Sequence, residues 1–99
     1  MNHVIETVIF KLNSGVSEAD FLAAAQPTFD YLKTVQGYLK RELSVTSEGQ
    51  WLDIVHWSDM ESALKAADEL MTHPVGQAFG ALIDFSTTTM FHAAPKLSS

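Results

Sequence analysis

Asp53 and Trp57 have the side chains in this sequence best suited to act on a small molecule. They lie four residues apart in Trp51-Leu-Asp-Ile-Val-His-Trp57, an apolar segment that predicts a strand. Because side chains alternate along a strand, both point to one face. A buried carboxylate is costly unless it faces a wet cavity or pairs with a lysine or arginine, and both interpretations stay open. Glu6, in another apolar segment, raises the same question.

Three of the four histidines lie at ends of predicted strands. His3 opens the first strand, His56 closes the third and His92 closes the fourth. In the strand order predicted below, these ends share one edge of the sheet, and three imidazoles can bind a metal. Alternation can instead divide them between the two faces, so we expect surface or structural roles and no bound metal.

Composition excludes several classes of protein. The 99 residues are enough for one domain, residues 1–99. Twelve acidic against six basic residues give a net charge of −6, which argues against binding of nucleic acid or an anionic membrane. The chain has no cysteine, so thiolate catalysis and cysteine-ligated metals are excluded. We find no nucleotide-binding motif, signal peptide or membrane span, and expect a cytoplasmic protein.

The order of predicted elements defines the fold class. Apolar residues at helical spacing predict two main helices, after Ser17 and after Ser58-Asp59, with a short helix from Pro74 to about Phe79. Strands are predicted over residues 3–12, 38–46, 51–57 and 85–92. This β-α-β-β-α-β order is the ferredoxin-like arrangement of the α+β class, with an antiparallel sheet in the order four-one-three-two.

Strands one and three are apolar on both faces. Strand one has Ile5 and Ile9 opposite its Val8 face, and strand three has Leu52 and Ile54 opposite its Trp57 face. The helices can cover only one side of the sheet, and strands apolar on both faces are normally covered on both. We therefore expect a homodimer in which two sheets pack face to face.

The sequence resembles the antibiotic biosynthesis monooxygenase family of dimeric α/β barrels. Several short motifs spread over nearly the whole chain carry the resemblance: Val4-Ile-Glu-Thr-Val-Ile-Phe-Lys-Leu, Gln36-Gly-Tyr, Ile54-Val-His-Trp-Ser-Asp-Met-Glu-Ser-Ala63, Thr72-His-Pro and Phe79. The family includes cofactor-free quinol and polyketide monooxygenases, haem-degrading enzymes and proteins without an assigned activity. The resemblance thus implies a fold more firmly than a reaction.

The resemblance also assigns positions within the site. Trp57 matches a tryptophan that lines the family's pocket, while Asp53 stands where an asparagine is expected. Ala67 replaces a histidine found in many relatives, and the first strand has Thr7 or Val8 where the haem-degrading branch has asparagine. These departures argue against haem degradation.

Two functions follow from these patterns. The first is a cofactor-independent monooxygenase for an aromatic or quinol-like molecule, with Asp53 or His73 as base and Trp57, Phe79 and Glu6 in contact with substrate. The second is a ligand-binding or interaction module of the same fold without enzymatic activity. In the first case we expect Asp53→Ala to abolish activity without loss of stability.

Overall fold

The computed structural model describes residues 3–98 and confirms the predicted fold class. Its four strands form an antiparallel sheet in the order β2-β3-β1-β4, the predicted order read from the other edge. The elements follow one another as β1 (Val4–Leu12), α1 (Glu18–Leu32), β2 (Tyr38–Val45), β3 (Trp51–Trp57), α2 (Met60–Thr72), α3 (Pro74–Gly80) and β4 (Ile83–Ala93).

Side chains at the helix starts fix where the helices begin. Ser17 accepts a hydrogen bond from the Asp20 N–H, and Asp59 accepts one from the Ser62 N–H, so each satisfies a free donor of a first turn. The α1 helix continues through Pro27 to Leu32. The fourth strand begins at residue 83, two residues earlier than predicted.

Two hydrophobic clusters hold the helices against one face of the sheet. The first contains Val4, Leu32, Val55, Trp57, Ala63 and Ala66, and the second contains Phe10, Phe21, Ala25, Trp51, Phe79 and Ile83. Along β3, Asp53 lies between Trp51 of the second cluster and Val55 of the first. Along β1, Glu6 follows Val4 of the first cluster. The buried carboxylates thus lie where the apolar core is divided.

The opposite face of the sheet carries no helix among the described residues. Its central strands present Ile5, Ile9, Leu52 and Ile54, all of which are half-buried. The two-faced pattern read from the sequence is therefore present in the sheet. No helix in residues 3–98 is long and apolar enough to cross a membrane.

Candidate functional site

A cavity of about 350 Å³ lies between the helix-covered face of the sheet and helices α2 and α3. Most of its lining is apolar, and the charged side chains among the lining residues are those of Glu6, Arg41 and Asp53. A largely apolar concavity with a few polar groups is the usual form of a small-molecule site. The exposed side chains of Met71, Phe85 and Met90 contribute to its wall.

Asp53 forms a two-point ion pair with Arg41, the only arginine of the chain. Arg41 Nε donates to Asp53 Oδ1 at 2.9 Å, and Nη2 donates to Oδ2 at 2.7 Å. The cross-strand register of β2 and β3 pairs Leu43 with Asp53 and Arg41 with Val55, so the two charges are diagonal neighbours on one face. Both oxygens of the carboxylate are therefore occupied.

The guanidinium group of Arg41 is held on its other sides as well. Its Nη1 donates to the Thr28 hydroxyl at 2.8 Å, and that hydroxyl donates to the Ala25 carbonyl at 2.6 Å. Its carbon lies 4.3 Å from the ring centre of Phe29, within range of a cation–π contact. The Arg41 side chain is only 1% exposed, so the ion pair is a fixed, charge-neutral part of the cavity wall.

Glu6 is bound far less completely than Asp53. Its Oε1 accepts the indole Nε1–H of Trp57 at 3.1 Å, which is its one hydrogen bond within residues 3–98. Burial raises the pKa of the Glu6 carboxyl, and the Trp57 hydrogen bond opposes this only in part. A carboxylate with a raised pKa is a stronger base than an exposed one and keeps room for another hydrogen-bond donor.

His92 faces Glu6 from the neighbouring strand. The β1–β4 register pairs the two residues directly, and His92 Nε2 lies 3.6 Å from Glu6 Oε2. This distance is longer than a hydrogen bond, and Nε2 is buried without any other partner in the described part of the chain. Glu6 therefore lies between the indole N–H of Trp57 and an imidazole.

Four of the five residues predicted for the site line this cavity. Asp53, Trp57, Glu6 and Phe79 come together there, whereas His73 is not among the lining residues. His73 Nδ1 instead accepts a hydrogen bond from the Val75 N–H at 3.2 Å and caps α3. The imidazole packs on the ring of Tyr31, with 4.4 Å between the two ring centres. His73, which was predicted as a base, thus serves as the N-terminal cap of α3.

The structure combines the two alternatives left open for Asp53. The carboxylate both pairs with an arginine and borders the cavity. Removing it leaves a buried, unpaired guanidinium, so we now expect Asp53→Ala to destabilise the fold, contrary to the expectation from sequence. Arg41 was not assigned to the site from sequence, although it stands among Leu39, Leu43 and Val45 in the alternating pattern, a place where a charge needs a partner.

The three strand-end histidines are divided between the two faces of the sheet. His3 Nε2 and His56 Nδ1 are 3.0 Å apart, whereas His92 pairs across from Glu6 on the cavity side. Within residues 3–98, no group of three or more histidine or acidic side chains is arranged to hold a metal ion.

Solved structures confirm the fold. A variant of SnoaB, a cofactor-independent oxygenase from Streptomyces nogalater, has a TM-score of 0.82 and 16% identity over 99% of this chain and 97% of its own. A candidate antibiotic biosynthesis monooxygenase from Bordetella bronchiseptica has a TM-score of 0.78 and 16% identity over 98% of this chain and 100% of its own.

A further similar structure is a candidate antibiotic biosynthesis monooxygenase from Nitrosomonas europaea, with a TM-score of 0.74 and 7% identity over 95% of this chain and 90% of its own. No protein-family model and no curated protein matches the sequence. The chain therefore has the ferredoxin-like fold of antibiotic biosynthesis monooxygenase-like proteins, and the resemblance noted from sequence is confirmed for the fold.

Proposed function

We propose that the cavity binds a hydroxylated aromatic molecule and that the protein oxidises this molecule with O2 without a cofactor. The observation that carries the proposal is Glu6, a buried carboxylate with free acceptor positions beside the indole of Trp57 in an apolar cavity. A phenolic hydroxyl can donate to Glu6 while its ring lies against aromatic and aliphatic walls. The fold shared with a cofactor-independent oxygenase supports the same reading.

The chemistry requires only a base and a dry site, because the substrate supplies every electron. The hydroxyl proton passes to Glu6, and the resulting ring anion reduces O2 by one electron. The superoxide and the ring radical combine to form a carbon–oxygen bond. Glu6 returns its proton to this peroxide, and the same carbon then loses its hydrogen together with hydroxide as water, which leaves a carbonyl. The phenol O–H, one ring C–H and O2 thus give a quinone-type dicarbonyl and one H2O.

Glu6 replaces the base candidates inferred from sequence. Asp53 has both oxygens bound by Arg41, and His73 lies outside the cavity lining. In this proposal the ion pair forms a polar wall, and the apolar walls exclude water from the ring anion. Phe79 and Trp57 hold the ring.

A panel of phenols, hydroquinones and anthrones in an oxygen electrode tests the reaction. We expect O2 uptake by the protein with at least one class and its loss in Glu6→Gln. The matched control is Glu48→Gln, which makes the same change at an exposed position in the β2–β3 turn and should keep the activity. Uptake that survives in Glu6→Gln contradicts the role of Glu6.

The alternative function is a ligand-binding module without catalysis. It is favoured by the complete pairing of Asp53, which removes one of the two carboxylates near the cavity as a base. This alternative predicts binding of naphthol to the protein, measured by quenching of tryptophan fluorescence, with no O2 uptake for any member of the panel.

The open face of the sheet supports a homodimer. A monomer would leave the half-buried Ile5, Ile9, Leu52 and Ile54 without a helix over them, and apolar patches of this kind usually mark an interface. Light scattering at micromolar concentration should give twice the mass of one chain, and Ile54→Lys should shift the protein toward monomer. A wild-type monomer contradicts this part of the proposal.

A further inference from the structure

His92 faces Glu6 but has no role in the proposed reaction. Its imidazole is 15% exposed and its Nε2 atom is buried, 3.6 Å from Glu6 Oε2, with no hydrogen bond to any described residue. A buried polar atom without a partner costs about 1–3 kcal/mol, so such an atom in a native fold calls for an explanation.

The surroundings of Glu6 show why this imidazole matters. The charged or titratable groups that face Glu6 are Arg41 from β2, Asp53 from β3 and His92 from β4. Helices α2 and α3 contribute uncharged residues to the cavity: Ala66, Ala67, Leu70, Met71, Gly76, Phe79 and Gly80. Because Arg41 and Asp53 neutralise each other, His92 is the group that can balance a charge on Glu6.

The geometry needs only a small adjustment to make this contact. The direct pairing of Glu6 and His92 in the β1–β4 register fixes their backbones next to each other on one face. A charge-assisted hydrogen bond of about 2.8 Å is less than 1 Å shorter than the 3.6 Å that separates His92 Nε2 from Glu6 Oε2. The Trp57 N–H already holds the other oxygen, so the carboxylate would then be fixed from both sides.

We propose that His92 is the positioning residue of Glu6: a protonated His92 donates its Nε2–H to Glu6 Oε2, which keeps the carboxylate ionised and aimed into the cavity. The two residues then hold one proton between them, located on His92 while Glu6 awaits the ligand hydroxyl. The catalytic consequence rests on the proposed function, but the ion pair itself does not.

The inference is tested by NMR of ¹⁵N-labelled protein, in which the chemical shift of the Trp57 indole Nε1–H is followed as the pH is varied. This N–H donates to Glu6, so its shift reports ionisation of that carboxyl, while Trp51 provides an internal reference outside the cavity lining. The pH at the midpoint of this titration is called the Trp57 midpoint. His92 lowers the pKa of Glu6 through its charge. We therefore expect the Trp57 midpoint to move to higher pH in His92→Gln, and we expect the titration to disappear in Glu6→Gln.

The control and a second readout separate positioning from a merely structural role. His56→Gln removes a histidine on the opposite face and should leave the Trp57 midpoint unchanged. Near neutral pH, naphthol should bind His92→Gln about tenfold more weakly than wild type, the equivalent of one lost charge-assisted hydrogen bond. If His92→Gln does not fold, His92→Phe keeps the ring volume and serves the same test.

A Trp57 midpoint that is the same in wild type and in the His92 variant overturns the inference. The result is independent of turnover, so the two proposals can fail separately. If the Trp57 midpoint shifts in the His92 variant but wild type takes up no O2, His92 positions Glu6 and the proposed oxygenase activity is rejected. If wild type takes up O2 but the midpoint does not shift, the oxygenase activity stands and the role of His92 is rejected.

Discussion

The two buried carboxylates of this protein are alike in exposure and opposite in chemistry. Asp53 is 7% exposed and Glu6 is 8% exposed, and both border the same cavity from central strands. Asp53 receives two charged hydrogen bonds from Arg41, whereas Glu6 receives one neutral hydrogen bond from Trp57. The comparison teaches that burial alone does not mark a base, because the partners decide whether a carboxylate is locked or available.

The largest effect is expected when the locked carboxylate loses its partner. Arg41→Ala leaves Asp53 buried and unpaired, which should lower the free energy of unfolding by about 3–5 kcal/mol in a urea titration followed by circular dichroism. Replacing both residues, as in Arg41→Met with Asp53→Leu, should restore most of the loss. A single variant as stable as wild type would mean that the ion pair is not a structural unit.

A smaller loss is expected at the donor of the available carboxylate. Trp57→Phe removes the N–H that binds Glu6 and should cost about 1–3 kcal/mol while the fold persists. Affinity for naphthol should fall roughly tenfold, measured by calorimetry, because the indole wall is lost. Trp51→Phe is the matched control on the same strand, outside the cavity lining, and should keep that affinity. Equal losses of affinity in the two variants would place the ligand elsewhere.

The buried Glu6 carboxyl should also link the stability of the protein to pH. Because burial raises the pKa of Glu6, folding favours its protonated form, and this contribution is lost as pH rises through the folded-state pKa. Wild type should therefore lose stability relative to Glu6→Gln as pH rises from about 4 toward neutrality. Parallel urea titrations of the two proteins check this, and a constant difference across that range would contradict it.

The smallest effect is expected at His73, the predicted base that the structure places at a helix start. His73→Ala removes the cap of α3 and should cost about 1 kcal/mol or less, with naphthol affinity unchanged. Thermal unfolding and the calorimetric titration measure the two quantities. If the variant lost more binding free energy for naphthol than free energy of unfolding, His73 would have to be counted among the ligand-binding residues.

The fold was predictable because each element carries its own local signal. The alternation in Trp51–Trp57 and the caps at Ser17 and Asp59 fixed the strands and helices, and element order fixed the sheet. The start of β4 was placed two residues late, near an irregularity in its pairing with β1 between Ile9 and Lys11.

The site was less predictable, since its chemistry depends on contacts between strands. The sequence predicted Asp53, Glu6 and Trp57 as site residues, and all three line the cavity, but alternation could not say which carboxylate Arg41 would pair with. The diagonal placement of Arg41 and Asp53 comes from the β2–β3 register, which includes a shift between Tyr38 and Lys40. The contact between His92 and Glu6 could not be predicted for the same reason, because the two residues are seen to pair only once the β1–β4 register is known.

A crystal structure of the protein with naphthol bound is the most direct test of the central claim that Glu6 is the available carboxylate. The account predicts a hydroxyl oxygen within hydrogen-bond distance of Glu6, a ring against Trp57, and an Arg41–Asp53 pair unchanged from the free protein. A hydroxyl bound to Asp53 with the ion pair opened, or a ring bound outside the cavity, would contradict it.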